Sequence, residues 1–271
     1  MKLKTFVSSL ILFTLISSSL VARSYSDLSN RYKWVGVFVK SSNRSEQIIK
    51  TNDRFYDFRD SIKRLLNSGY IVDDLKYGNG KWVGVFSKNL SNISQTYIET
   101  GRWADMDREI SAQWERGYRI TDIEYGLGKW IALFSTDSGY TNQGYDRVAN
   151  ASNFKEIILD RWNKGFTLIN VEYGEGKWLG IFSKGKVLAD QTMAIRGYWP
   201  DMCNAIDSQW KDGSKLTSLT YGLNKWFGLF SKSSNYQQQG YEASHTIKDF
   251  SKIVAKRNKD GFRLINLSQG W

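Results

Sequence analysis

Two polar residue types recur along the chain at a fixed interval, and each set could do chemistry. Glutamine stands at Gln47, Gln95, Gln143, Gln191 and Gln239, and lysine at Lys33, Lys81, Lys129, Lys177 and Lys225, every member 48 residues after the one before. Five ammonium groups gathered on one rim would make a cationic crown for phosphate, sulfate or uronic acid groups. A lysine also simply tolerates an exposed turn-to-strand junction. Five amides could likewise form a ligand-binding ring. However, the residues two places after the glutamines are Ile49, Tyr97, Tyr145, Met193 and Tyr241, which are core-like and share the strand face. The glutamines are therefore expected to point inward and bind backbone groups of the neighbouring unit, because a buried amide left unpaired costs about 1–3 kcal/mol. The lysines remain the ligand-binding candidates. Trp103 and Trp199 join them as sugar-stacking platforms, standing where other units have Phe55, Ala151 and Ile247; covering the first helical turn explains these tryptophans equally well.

Other reactive side chains are scarce. Cys203 is the only cysteine and His245 the only histidine, so neither an intrachain disulfide nor a Cys/His zinc site can form. Cys203 reads as a small, partly buried residue of a helix, and His245 as a loop residue. Carboxylate pairs do occur: Asp73 with Asp74, and Asp122 with Glu124, which Glu172 matches one unit later. Glycoside hydrolysis needs two such groups facing a cleft about 5–10 Å apart. At the Glu124 position other units have Lys76, Thr220 and Ser268. Because these residues alternate with apolar strand positions, they read as solvent-facing. No catalytic residue, metal ligand or cofactor is assigned.

The elements that position these residues repeat with them. Trp34, Trp82, Trp130, Trp178 and Trp226 each open a run such as Trp82–Ser87, rich in β-formers and apolar on both faces, which predicts a doubly buried strand. Gly36, Gly84, Ala132, Gly180 and Gly228 occupy its middle, where a small residue implies close approach by another element. A second strand is expected around Gln95–Ile98. A helix follows, with Asp57, Asp105, Asn153, Asp201 and Asp249 as N-caps and Gly69, Gly117, Gly165, Gly213 and Gly261 as left-handed C′ residues. A third strand then carries apolar pairs three apart, as in Ile120 and Ile123, off the strand period of two, so a bulge or twist is expected. A Gly-x-Gly hairpin leads into the next tryptophan strand.

Each unit is thus β-β-α-β, starting near 33, 81, 129, 177 and 225. The chain starts on a first strand and stops just after a third. Pairing the two would close the array. The expected fold is an α+β repeat protein, five β-β-α-β units closed into a five-bladed α/β propeller with pseudo-five-fold symmetry.

The block Gly128-Lys-Trp-Ile-Ala-Leu-Phe-Ser135, then Gln143-Gly-Tyr145, then Asp160-Arg-Trp-Asn-Lys-Gly-Phe166 resembles a known repeat region. That region is the uncharacterised one found after the kinase domain in plant casein-kinase-I-like proteins. The resemblance spans about residues 31–271 and implies no established activity. The β-β-α-β plan is also similar to the pentein α/β propellers, a likeness of fold alone. Penteins that modify guanidines carry Cys, His and acidic groups near the axis. Cys203 and His245, expected on and before outer helices, are poorly placed to match them.

Residues 1–22 read as a secretory signal peptide. Lys2 and Lys4 form the basic region, Phe6 to Ile16 the apolar stretch, and cleavage is expected after Ser19 or Ala22. Residues 23–271 then form one repeat domain with no transmembrane segment. The chain's net charge of +11 falls to +9 when those two lysines are removed, and it is mixed with acids through the repeats. With no elaborated loop in any unit, the expected product is a secreted or periplasmic, non-enzymatic binding or scaffolding module. Its partner would be an anionic polymer, a glycan or a protein. The alternative is a carbohydrate- or guanidine-directed hydrolase with its site at the propeller axis.

Overall fold

The apolar runs form strands, and each lies in the middle of a sheet. In the computed structural model these first strands are β1 (Lys33–Lys40), β4 (Lys81–Lys88), β7 (Lys129–Ser135), β10 (Lys177–Gly185) and β13 (Lys225–Ser231). The second strands are β2 (Gln47–Asn52), β5 (Gln95–Thr100), β8 (Tyr140–Val148), β11 (Gln191–Arg196) and β14 (Gln239–Ser244). Helices α1 (Phe55–Asn67), α2 (Trp103–Glu115), α3 (Ala151–Asn163), α4 (Trp199–Lys211) and α5 (Ile247–Lys259) follow them. The third strands are β3 (Tyr70–Gly78), β6 (Arg119–Gly126), β9 (Thr167–Gly174), β12 (Lys215–Gly222) and β15 (Phe262–Gly270). The structure describes residues 32–41, 47–88, 93–185, 188, 190–233, 236 and 238–271. The expected signal peptide, 1–22, lies outside the described residues. Among those described, no helix is long and apolar enough to cross a membrane.

The strands form five antiparallel three-stranded sheets, giving an α+β repeat fold. Each first strand pairs with the second and third strands of the unit before it, as in the order β2-β4-β3. β1 follows the same rule with the far end of the chain. It pairs with β14, matching Val37 to Tyr241, and with β15, matching Val35 to Ser268. The third strands also touch in sequence: β3 packs on β6, β6 on β9, β9 on β12, β12 on β15, and β15 on β3.

The turns from third to first strand have both central residues at positive φ, as at Leu127 (48°) and Gly128 (70°). That is the type I′ geometry whose twist suits a tight hairpin. The expected irregularity is a register shift in every third strand, passing over Asp73, Thr121, Ile169, Thr217 and Ile265. It lets residues three apart, such as Val72 and Leu75, both reach the core beneath α1.

The helices begin three residues earlier than expected. Their N-caps are Arg54, Arg102, Asn150, Tyr198 and Thr246. Asp57, Asp105, Asn153, Asp201 and Asp249 lie one turn inside. A short polar residue suits both places, because an acid in the first turn complements the helix dipole. Only Asn150 and Thr246 accept a backbone N–H through the cap side chain, from Asn153 and Asp249. The C′ glycines have φ between 75° and 83°, and bonds such as Tyr118 N–H to Gln113 O close the helix ends.

Each first strand is buried on both faces because two cores share it. Trp82 and Phe86 pack with Phe58 and Ile62 of α1, while Val83 and Val85 join Trp34, Phe38 and Phe250. The small residue at mid-strand admits the helix. A Cβ on Gly84 would lie 2.7 Å from Phe58 Cζ, and one on Gly36 would lie 2.3 Å from Phe250 Cζ. At Gly228 the nearest atoms are Met202 Sδ and Phe230 Cε2, both at 3.2 Å, a looser contact in which the methionine can adjust. Urea unfolding should therefore show Gly84→Ala losing about 1–3 kcal/mol and Gly228→Ala losing clearly less. Equal losses would mean that the facing side chain does not set the constraint.

Candidate functional site

The bulge that turns two apolar residues toward each helix turns two polar ones the other way. These are Asp74 and Lys76, Asp122 and Glu124, Asn170 and Glu172, Ser218 and Thr220, and Asn266 and Ser268. They lie where the five third strands pack on one another. The five ionisable members, Asp74, Lys76, Asp122, Glu124 and Glu172, are 3–6 % exposed, so the solvent-facing reading of these carboxylates is corrected. They do alternate with apolar strand positions, as expected. What the alternation did not reveal is that the second face meets other strands instead of water.

Hydrogen bonds tie these groups from unit to unit. Asp122 accepts from Leu75 N–H (2.7 Å), from Ile123 N–H (2.9 Å) and from Asn170 Nδ2 (2.7 Å). Asn266 accepts from Leu219 N–H at 2.8 Å, Thr220 Oγ1 donates to Val171 O at 2.8 Å, and Asp74 accepts from Leu267 N–H. Lys76 Nζ donates to Glu124 at 2.8 Å and lies 3.6 Å from Glu172. Glu124 also accepts from Tyr77 N–H at 2.8 Å.

Burial controls the electrostatics. It raises the Asp74 and Glu172 carboxyls well above the usual range, with repulsion from Asp122 and Glu124 respectively adding to it. Burial also raises Glu124, against the opposing pull of Lys76. Burial alone would lower Lys76, but Glu124, Asp122, Glu172 and Asp74 outweigh it and hold the ammonium well above its ordinary value. Such a cluster can hold and share protons. Residues this enclosed offer a sugar ring no approach.

The glutamines link neighbouring sheets. Each amide accepts the N–H and donates to the C=O of a single residue on the preceding unit's third strand. The pairs are Gln95 with Val72, Gln143 with Ile120, Gln191 with Leu168 and Gln239 with Leu216. Gln47 does the same with Leu264, from first unit to last. All ten bonds measure 2.7–2.9 Å. Trp114, Trp162 and Trp210 add indole donors to the amide oxygens of Gln143, Gln191 and Gln239.

The remaining candidates differ from one another in burial and in partners. Lys81 and Lys129 are paired with Asp53 and Glu99, Lys177 is exposed and Lys225 half-buried. Lys33 is fully buried, its Nζ has no hydrogen-bond partner, and burial lowers its pKa. Trp199 is 2 % exposed and packs on Trp226 and Tyr241, which withdraws it from sugar stacking. Half-buried Trp103 contacts Trp130 and Tyr145 by its edges and carries the Arg147 guanidinium over its ring. Burial pushes the Cys203 thiol up to about 11, far from a neutral-pH thiolate. His245 bonds to Tyr32 O at 3.2 Å. Among the described residues no group of His, Cys, Asp and Glu is arranged to hold a metal ion.

Gln143→Leu keeps the bulk but leaves Ile120 N–H, Ile120 O and Trp114 Nε1 without their partner. Chemical denaturation should show a loss of about 1–3 kcal/mol. A variant as stable as wild type would remove the amide from the framework.

The buried polar tracks and the glutamine tracks recur with the 48-residue unit. No curated protein matches the chain. A sequence family described as a domain of unknown function, DUF7477, matches residues 124–270, more than half of the chain, and the protein belongs to that family.

Proposed function

We propose that the five units close into a five-bladed α/β propeller, exported and non-enzymatic, that binds an acidic glycan through its outer helices. Closure is supported by the pairing of β1 with β15 and by the contact of β15 with β3. It is also supported by Gln47, whose bonds to Leu264 repeat those of the four other units. Export rests on the basic and apolar pattern of residues 1–22. The kinship with the repeat region of casein-kinase-I-like proteins rests on the motif block around Trp130 and Trp162, and the binding role does not depend on it.

The observation that carries the binding role is the uneven charge of the helices. α5 holds Lys248, Lys252, Lys256, Arg257 and Lys259 against Asp249 alone. Its four lysines are exposed, and at 100° per residue they fall in one stripe about 16 Å long. α2 has the opposite balance, with Asp105, Asp107, Glu109 and Glu115 against Arg108. A polyanion is drawn to one side of such a surface. The rim lysines are weaker candidates, since Asp53 and Glu99 neutralise Lys81 and Lys129.

On an immobilised polyuronate column, the joint change Lys252→Gln, Lys256→Gln and Lys259→Gln should lower the salt needed for elution. Changing Lys81, Lys129 and Lys177 to Gln should have a smaller effect. Equal shifts would return the site to the rim, and no retention of wild type would end the acidic-glycan reading. Export is checked by the N-terminus of the protein in the secreted or periplasmic fraction, expected near residues 20–23. An intact Met1 on a cytosolic protein would contradict it.

A further inference from the structure

The third strands of the first three units bring five ionisable side chains into one enclosed space. Four are carboxyls, Asp74, Asp122, Glu124 and Glu172, and one is an ammonium, Lys76. The charged groups that act on Glu172 are Glu124 from β6 and Lys76 from β3, and Asp74 and Asp122 act on Lys76 in turn. The axial positions of β12 and β15 supply only Ser218, Thr220, Asn266 and Ser268, none of which carries charge. Fully ionised, the cluster would hold three uncompensated negative charges out of water, an arrangement that buried carboxyls avoid by keeping protons. Lys76 lies 2.8 Å from Glu124 and 3.6 Å from Glu172, so its charge serves Glu124 first. Glu172 is the group left to take a proton, and Glu124 is the neighbour able to share it.

We infer that Glu124 and Glu172 hold one proton between them at neutral pH, and that its loss on alkalinisation loosens the joint between the second and third units. The proton turns a repelling pair into an O–H···O⁻ bond and leaves Lys76 balanced against a single charge. The raised positions of both glutamates agree with this. A group whose folded pKa lies above its unfolded one contributes stability that is complete below the unfolded value, about 4.3 for glutamate. That contribution falls as pH rises toward the folded value. The axis is therefore a proton-locked joint, tight in mild acid and slackened by base. The inference rests on β3, β6 and β9 alone and holds whether or not the array closes.

The test uses full-length protein labelled with ¹³C at its glutamate side-chain carboxyls. Wild type at neutral pH should show one glutamate carboxyl still protonated and titrating well above the rest. It should be absent from both Glu172→Gln and Glu124→Gln, because in either variant Lys76 can pair with the remaining glutamate. In urea unfolding, Glu172→Gln should lose one proton's share of the pH dependence, a factor of about ten in the unfolding constant per pH unit over that window. Gln has the shape of the protonated acid, so the variant is expected to fold; if it does not, the wild-type titration still decides. A wild type whose glutamates all titrate in the ordinary range would overturn the inference. So would a Glu172→Gln variant that retains the elevated signal or the full pH dependence.

Discussion

A sheet of three strands has two edges, and an unpaired edge is a liability for any repeat protein. Here the third strand of every sheet is an edge, and one glutamine from the next unit occupies it. A primary amide presents a C=O and an N–H side by side, as a strand residue does. Each glutamine therefore completes the ladder at one residue of the strand before it. The strand that carries the glutamine is itself paired with the first strand of its own sheet, as β5 is with β7, so neighbouring sheets are coupled without merging. The tryptophan indoles that bond the amide oxygens from α2, α3 and α4 hold three of the five in place.

The register shift within each third strand decides what lies between the third strands. Once Val72 and Leu75 both face α1, Asp74 and Lys76 must face the neighbouring third strands. Five strands bearing polar residues there need hydrogen bonds across every contact, and they have them, from Asp74 accepting Leu267 N–H to Thr220 donating to Val171 O. The first three units place charged groups at these positions, whereas the fourth and fifth use Ser, Thr and Asn. The face where the third strands pack is thus electrostatically lopsided although the backbone repeats evenly. The outside is lopsided too, with basic α5 and acidic α2.

Much of this was legible in the sequence. The 48-residue interval defined the unit, Gly-x-Gly marked the hairpins, and the three-residue spacing of Ile120 and Ile123 marked the bulge. The carboxylates were misplaced because alternation tells which residues share a face and says nothing of what that face meets. Yet the positions of Asp74 and Lys76 are polar in all five units, which is a sign of burial among polar neighbours. Trp199 was ambiguous because a tryptophan at a helix start serves a core or a surface equally well. The charge of α5 was hidden because acids elsewhere, α2 above all, blur it in any average over the chain.

The central claim is that the fifth unit meets the first through the same amide pairing that joins the other four. Native-state amide hydrogen exchange of the unmodified protein tests it most directly, at Val72, Ile120, Leu168, Leu216 and Leu264. Each of these N–H groups bonds to a glutamine oxygen at 2.7–2.9 Å. Closure predicts that Leu264 is protected to the same degree as the other four. Rapid exchange at Leu264 alone, with the others protected, would contradict it and leave five units in an open row.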